Sequence, residues 1–199
     1  MPPSARFHTR NARIPNNQRL VSLYLWQHLM DVLSPLKLKL KKAESADAGA
    51  IAALAEKIWR VHYPPIIGSK QVEYMLSHMH TAENIVEQMN AGQTFCFILD
   101  GENTIGYTSW SKPADQELFI HKFYIDPAQQ RQGIGKKVFD EILELNPGTK
   151  TIRLTVNRMN YKSINFYYKV GFVIEDVKDF DIGNGYFMND FVMRWGAKK

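Results

Sequence analysis

A mixed α/β fold of α+β character, built on one central sheet, is what this chain predicts, and three observations predict it. Apolar residues alternate with period two in several short segments, and elsewhere they recur at the spacing of an amphipathic helix. The order of these segments is an antiparallel meander, then a crossover helix, then further strands. With 199 residues, 45% of them hydrophobic and 12% aromatic, the chain holds enough apolar material for one ordinary domain and excludes disorder throughout.

Leu36-Lys37-Leu38-Lys39-Leu40-Lys41 alternates apolar and cationic residues and reads as a half-exposed first strand, with Pro35 marking its start. In residues 46–62, Ile51, Leu54, Ala55, Ile58 and Trp59 fall at helical spacing, with Asp47 placed to cap or favour the helix N-terminus. Tyr63-Pro64-Pro65 stops that helix, and a loop from Pro64 to Ser69 leads to short helices at 71–78 and 82–89. Thr94 to Leu99 and Thr104 to Ser111 are strands joined by the hairpin turn Asp100-Gly101-Glu102-Asn103. Leu118 to Ile125 is a fourth strand closed by Asp126-Pro127. Beyond it Ile134, Val138, Ile142 and Leu145 form an apolar stripe that ends at Asn146-Pro147-Gly148. Ile152, Leu154 and Val156 alternate in the next strand, and Asn160 begins a helix that Gly171 terminates. Phe172 to Ile174 and Tyr186 to Met193 complete the sheet, with an acidic stretch between them.

The formal charge of +5 suggests a nucleic-acid partner, but its distribution argues against one. Arg6, Arg10, Arg13 and Arg19 lie in the first thirty residues, where no acid occurs, and without them the rest of the chain carries only +1. Residues 1–35 read as an N-terminal extension and residues 36–199 as the domain. The extension fits a disordered or partly helical arm, a segment upstream of a start at Met30, a partner-docking helix, or a targeting peptide. No stretch approaches the roughly 20 apolar residues of a membrane span, so no membrane partner is expected. The single cysteine, Cys96, sits in the buried-strand run Phe95-Cys96-Phe97-Ile98-Leu99, which favours a packing role over a nucleophilic one. A chain that cannot close a disulfide within itself fits a reducing cytoplasm.

Chemistry concentrates at Gln130-Arg131-Gln132-Gly133-Ile134-Gly135, between a strand and a helix. Two glycines two apart let backbone N–H groups approach an anion, and the following helix adds the positive end of its dipole, so the ligand is expected to carry a pyrophosphate. A dinucleotide fold wants a third glycine in its first strand-turn-helix unit, and a P-loop wants Gly-Lys-Ser/Thr; neither pattern is met.

This run resembles the phosphate motif Gln/Arg-x-x-Gly-x-Gly/Ala of the Gcn5-related N-acetyltransferases. A second block resembles the same family: Leu154-Thr155-Val156, then Asn160, Ser163 in place of the family's Ala, and Phe166-Tyr167-Tyr168-Lys169-Val170-Gly171-Phe172. The resemblance covers roughly residues 36–195 and implies a mixed sheet of six to seven strands flanked by about four helices. It implies acetyl-CoA as cosubstrate, no metal, and direct acetyl transfer to an amine. Backbone amides from about Arg131 to Lys136 would hold the pyrophosphate, and the pantetheine would lie where Phe123-Tyr124-Ile125 splays from the 152–156 strand. Phe123 to Ile125, Gln130 to Lys136, Asn160 and Ser163 are thus the candidate cofactor-binding residues. Lys136 and Lys137 either screen phosphate charge or are merely solvated, and Asn160 either bonds near the cofactor, caps its helix, or does both.

By the same resemblance Tyr167 stands near the thioester sulfur as general acid, the alternative being core packing. Tyr168, about 100° away around the helix, cannot share that place. Many relatives carry a glutamate base at the position of Phe119. His121, two residues on, is the candidate base, with Glu117 in reserve and a plain structural role as the alternative for His121. Strand N–H groups near Phe123 to Ile125 are the expected donors to the carbonyl oxygen as negative charge develops.

For the acceptor, segments 59–68, 71–75 and 183–190 resemble a bacterial branch that includes polyamine acetyltransferases. Residues 173–190 carry a net charge of −4, which suits a polycation or equally describes a solvated acidic loop. Tyr63, Tyr74 and Trp59 line an acceptor pocket on one reading and pack the core on the other. The expected activity is acetylation of a small-molecule primary amine, a polyamine favoured. The alternatives are a protein N-terminal or lysine acetyltransferase and a non-catalytic acyl-CoA sensor. Dimerisation is common among relatives, and Leu20 to Met30 is the segment considered for a homodimer interface.

Overall fold

The computed structural model describes residues 37–130 and 133–196. Residues 1–35, with the segment Leu20 to Met30, lie outside the described residues, as do Arg131 and Gln132 of the glycine run. Seven strands are described: β1 (Leu38–Lys42), β2 (Thr94–Asp100), β3 (Asn103–Ser111), β4 (Glu117–Ile125), β5 (Thr151–Asn157), β6 (Val173–Gly183) and β7 (Tyr186–Gly196). The helices are α1 (Ala48–His62), α2 (Pro64–Ile67), α3 (Ser69–Met79), α4 (Ala82–Asn90), α5 (Ile134–Leu145) and α6 (Tyr161–Val170). The strands form one sheet in the order β1-β2-β3-β4-β5-β7-β6, antiparallel except for the parallel pair β4 and β5, which α5 connects. This is the mixed α/β class that the apolar periodicities predict.

Helices α1 to α4 pack on one face of the sheet. Ile51, Ala55, Ile58, Trp59, Val72, Met75 and Ile85 meet Phe95, Phe97 and Tyr107 of β2 and β3 there. On the opposite face lie α5 and α6, where Phe139 of α5 touches Phe172 and Trp195 at ring distances of 5.7 Å each. Cys96 is buried in β2, and desolvation pushes its thiol up to about 11, so it behaves as a packed apolar group. Asp47 sits at the N-cap of α1, but its carboxylate turns back to accept from the Glu44 N–H at 2.9 Å, closing the 3-10 turn that precedes the helix.

Three expectations change. The segment Pro64 to Ser69, read as a loop, contains the helical turn α2, because prolines in a first turn surrender N–H groups that have no helical partner anyway. Strand β6 runs from Val173 to Gly183, well past Ile174, so the acidic stretch is a strand and not a loop. It is the exposed edge of the sheet, and an edge strand carries charge instead of an apolar stripe. The third change is a bulge in β4: Ser109 pairs with Lys122 and Trp110 with Ile120, leaving His121 outside the ladder. Phe119, His121 and Lys122 therefore share the α1 side, and from Phe123 onward the alternation is inverted.

Gly106 in β3 holds this region together. It lies opposite Ile125, and a Cβ there would land on the Tyr124 carbonyl oxygen and 2.9 Å from Ile125 Cα. Backbone cannot yield as a flexible side chain does. Gly106→Ala is expected to lower unfolding free energy by about 1–3 kcal/mol, read from urea melts; an unchanged midpoint would contradict the close approach.

Candidate active site

The pair β4 and β5 is hydrogen-bonded only from Glu117–Thr151 to Ile120–Leu154. Past that row β4 continues along β3, with Phe123 opposite Thr108 and Tyr124 opposite Tyr107, while β5 continues along β7, with Asn157 opposite Asp190. A wedge opens between them. On its β4 wall the backbone of Phe123, Tyr124 and Ile125 has no ladder partner on the β5 side. Such polar groups need bonds from elsewhere, which suits them to an extended amide-bearing ligand.

Below the wedge, Phe123 packs on Phe166 and Tyr167 of α6 at ring distances of 5.6 and 6.4 Å. Phe166 fills the space that Gly135 leaves: a Cβ at Gly135 would come within 2.8 Å of its ring. The second glycine of the run thus has a packing reason of its own, bringing the first turn of α5 against α6. Gly133 caps α5 with φ +84°, a left-handed conformation that glycine adopts without a steric cost. The connection from β4 is tied down on both sides. Asp126 accepts from Ala128 N at 2.9 Å and pairs with Lys57 of α1 at 2.6 Å. Gln130 donates to the Ile125 carbonyl at 3.0 Å and accepts from Lys162 of α6. The N-terminus of α5 is therefore aimed at the mouth of the wedge, an arrangement that receives phosphate readily. Lys136 pairs with Asp140 along the helix.

Above the wedge the side chains are largely aromatic. Tyr63 stacks on Trp59 at 4.1 Å and approaches Tyr124 edge-on at 6.2 Å, and Tyr107 lies 5.2 Å from Tyr124. The Tyr63 phenol is pushed up to about 12 by desolvation and interacts with Tyr124, Asn160 and Asp190. Tyr167 is 8% exposed, and desolvation followed by the neighbouring Tyr63 raises its pKa well above the ordinary phenol value. It is fully protonated at neutral pH, the form a proton donor requires. Tyr168 is exposed.

Asn160 caps α6, accepting from Ser163 N at 3.2 Å, so its amide nitrogen is the donor to His62 Nε2 at 3.2 Å. Desolvation, then Lys162, lowers the His62 pKa. Ser163 is thereby placed through its backbone. His121 stands apart from Tyr167: it shares a hydrogen bond with Ser111 Oγ at 2.8 Å and packs on Phe119 at 4.8 Å, on the α1 side of the bulge. Desolvation and Lys122 pull its pKa to about 4, leaving a weak proton acceptor. Glu117 is engaged by Arg153 at 3.2 Å.

The acidic stretch is less negative than its composition. Glu175 takes a two-pronged bond from Arg153, at 2.7 and 3.1 Å, Asp179 pairs with Arg158, and Asp176 with Lys178 at 3.5 Å. These cations come mostly from β5 and the turn after it, far off in sequence. Asp190 is different: it is 6% exposed, desolvation raises its pKa to about 6, and the Thr155 hydroxyl is its hydrogen-bonding partner. Neither Asp190 nor His62 was singled out by sequence reasoning; the spacing of a buried acid on an edge hairpin carries no local signal. Among the described residues no cluster of His, Cys, Asp and Glu is arranged to hold a metal ion, and no helix is long and apolar enough to cross a membrane.

The sequence profile of the acetyltransferase (GNAT) family matches residues 55–172. An uncharacterised N-acetyltransferase of Mycobacterium tuberculosis is 27% identical over 153 residues, covering 74% of this chain and 96% of that one. A spermidine N(1)-acetyltransferase of Thermoplasma acidophilum is 23% identical over 153 residues, covering 73% and 94%. Among solved structures, the PaiA N-acetyltransferase from Thermoplasma acidophilum, in complex with coenzyme A, superposes with a TM-score of 0.67 at 22% identity, covering 81% of this chain and all of that one. The wedge, the glycine run at the start of α5, and a profile match over more than half the chain lead to one conclusion. The chain belongs to the acetyltransferase (GNAT) family and is an N-acetyltransferase whose acetyl donor is acetyl-CoA.

Proposed function

We propose that the protein acetylates a primary amine of a small molecule, with a polyamine of the spermidine type as the favoured acceptor. The observation that carries this reading is the closure of the acceptor side. Gln71 donates to the Phe187 carbonyl at 2.7 Å and Tyr74 to the Ile182 carbonyl at 2.6 Å, lacing α3 to the β6–β7 hairpin. Tyr63, Tyr124, Ile182 and Met188 pack behind that lacing. An acceptor side closed over by helix, hairpin and phenol rings suits a slender flexible chain better than a folded polypeptide. The likeness to a spermidine N(1)-acetyltransferase along nearly that protein's whole length supports the same acceptor.

In this reading the donor, when bound, supplies an activated acetyl thioester. The N-terminus of α5, with the backbone from about residue 131 to Lys136, holds the diphosphate, helped by Gln130 and by the open space at Gly133. The β4 edge from Phe123 to Ile125, which β5 leaves unpaired, offers backbone bonds to the pantetheine amides and to the carbonyl oxygen that gains charge. Asn160 and Ser163, fixed by the cap, set the height of α6 against the wedge. Tyr167, buried and protonated beside Phe123, gives its proton to the departing sulfur.

Two measurements test this. Release of free thiol with spermidine, an aminoglycoside, single amino acids and a lysine peptide should give the highest kcat/KM for spermidine, and a higher value for the peptide would overturn the small-amine reading. Tyr167→Phe should lower kcat by about 100-fold or more with CoA affinity retained. Full turnover in that variant would remove the general-acid role.

A further inference from the structure

Asp190 occupies the last row of the β5–β7 ladder, opposite Asn157, with Lys178 of β6 on its other side. That row lies where β5 has already parted from β4. Met188, two residues earlier on the same strand, packs into the helix-side core, so Asp190 points to the α1 side too. Tyr63, at the end of α1, senses its charge. The carboxylate is thus buried at the wedge, on the side from which an acceptor enters.

Among the described residues no cation forms an ion pair with it, and Arg158 offsets its charge only from a distance. Arg158 is taken by Asp179 and Lys178 by Asp176, and among the described residues no ion pair reaches Asp190. A buried carboxylate lacking a cation is expensive, and such groups persist where an incoming ligand supplies what is missing. An ammonium supplies it. The Thr155 hydroxyl is a hydrogen-bonding neighbour that lowers the Asp190 pKa, and a carboxylate with about four lone-pair sites keeps acceptor capacity for an N–H beside it.

We propose that Asp190 receives the primary ammonium of the acceptor in the wedge between β4 and β5 and takes one proton from it, so that the nitrogen attacks as a free amine. This rests on the primary-amine reading above and not on the acceptor being a polyamine. One N–H bond breaks and its proton goes to a carboxylate oxygen of Asp190. The nitrogen lone pair forms the bond to the thioester carbonyl carbon, and the carbon–sulfur bond breaks. Sulfur takes the Tyr167 phenol proton, and the second nitrogen proton restores that phenol. Asp190 then loses its proton to solvent, which accounts for the one proton released when an ammonium and a thioester become an amide and a thiol.

The groups that set the titration of Asp190 are Thr155 and Arg158, which lower its pKa, and Asp179, which raises it. Tyr63 from α1 and Lys178 across the ladder face it as well. Desolvation outweighs the lowering contributions, so the carboxylate is ionised above about pH 6. The acid limb of kcat/KM for the amine should therefore fall through that region in the native protein.

The test uses the full chain with spermidine and with a lysine peptide. Asp190→Asn should lower kcat/KM for whichever amine the native protein acetylates by about 100-fold and abolish the acid limb, with the Kd for CoA unchanged. It should also raise Tm at pH 8, because an amide replaces an unpaired buried charge; a merely structural acid would lose stability instead. Thr155→Val, which removes a bond that favours the ionised carboxylate, should shift the acid limb to higher pH. An acid limb unmoved in Thr155→Val, or full activity in Asp190→Asn, overturns the proposal. Activity on the peptide alone, lost in Asp190→Asn, would overturn the polyamine reading and leave Asp190 standing.

Discussion

Everything at this site depends on where one parallel ladder stops. Beyond the Ile120–Leu154 row, β4 stays with β3 and β5 stays with β7, so each keeps one satisfied edge and leaves the other to the wedge. The bulge at His121 sits next to that point, and bulges bend a strand and increase its twist. The bend turns β4 away from β5 and re-aims its side chains: Tyr124 goes to the aromatic wall of α1, and Phe123 goes down to α6. The backbone between them remains available for a ligand.

Packing then brings the parts of the proposed site to the same opening. From below, the fit of Phe166 over Gly135 sets α5 and α6 together, so the N-terminal end of α5 and the Tyr167 phenol are held by one contact. From above, α1 reaches the site through Tyr63 and His62, and Lys57 anchors α1 to Asp126 at the end of β4. Raised phenol pKa values at Tyr63, Tyr124 and Tyr167 have desolvation as their largest cause, with neighbouring phenols or Asp190 adding to it, and one consequence: the phenols are protonated at neutral pH.

The charges of the β6–β7 hairpin illustrate how composition and electrostatics part company. Most of its acids meet arginines or lysines and produce little field beyond them. Asp181, exposed, only accepts from the Gly183 N–H, whereas Asp190 is buried without an ion pair among the described residues, which makes it influential and costly at once.

How much of this was legible beforehand follows from the range of each interaction. Strand and helix periods, the glycine run before α5, and the Asn160 to Phe172 block depend on neighbours a few residues apart, so the amino-acid order alone determined the fold class, the start of α5 at the glycine run and the place of Tyr167 on α6. The helical turn at Pro64, the extent of β6 and the bulge at His121 were not legible, since prolines, edge charges and an unpaired residue all break the local pattern without ending the structure. The acceptor side was the least legible. Asp190 and Thr155 are 35 residues apart and Tyr63 lies further still. Their meeting required the β5–β7 register and the docking of α1. Only the tertiary structure decided which acid among many is buried without a cation, because desolvation is a property of a place in the fold and not of a residue in a chain.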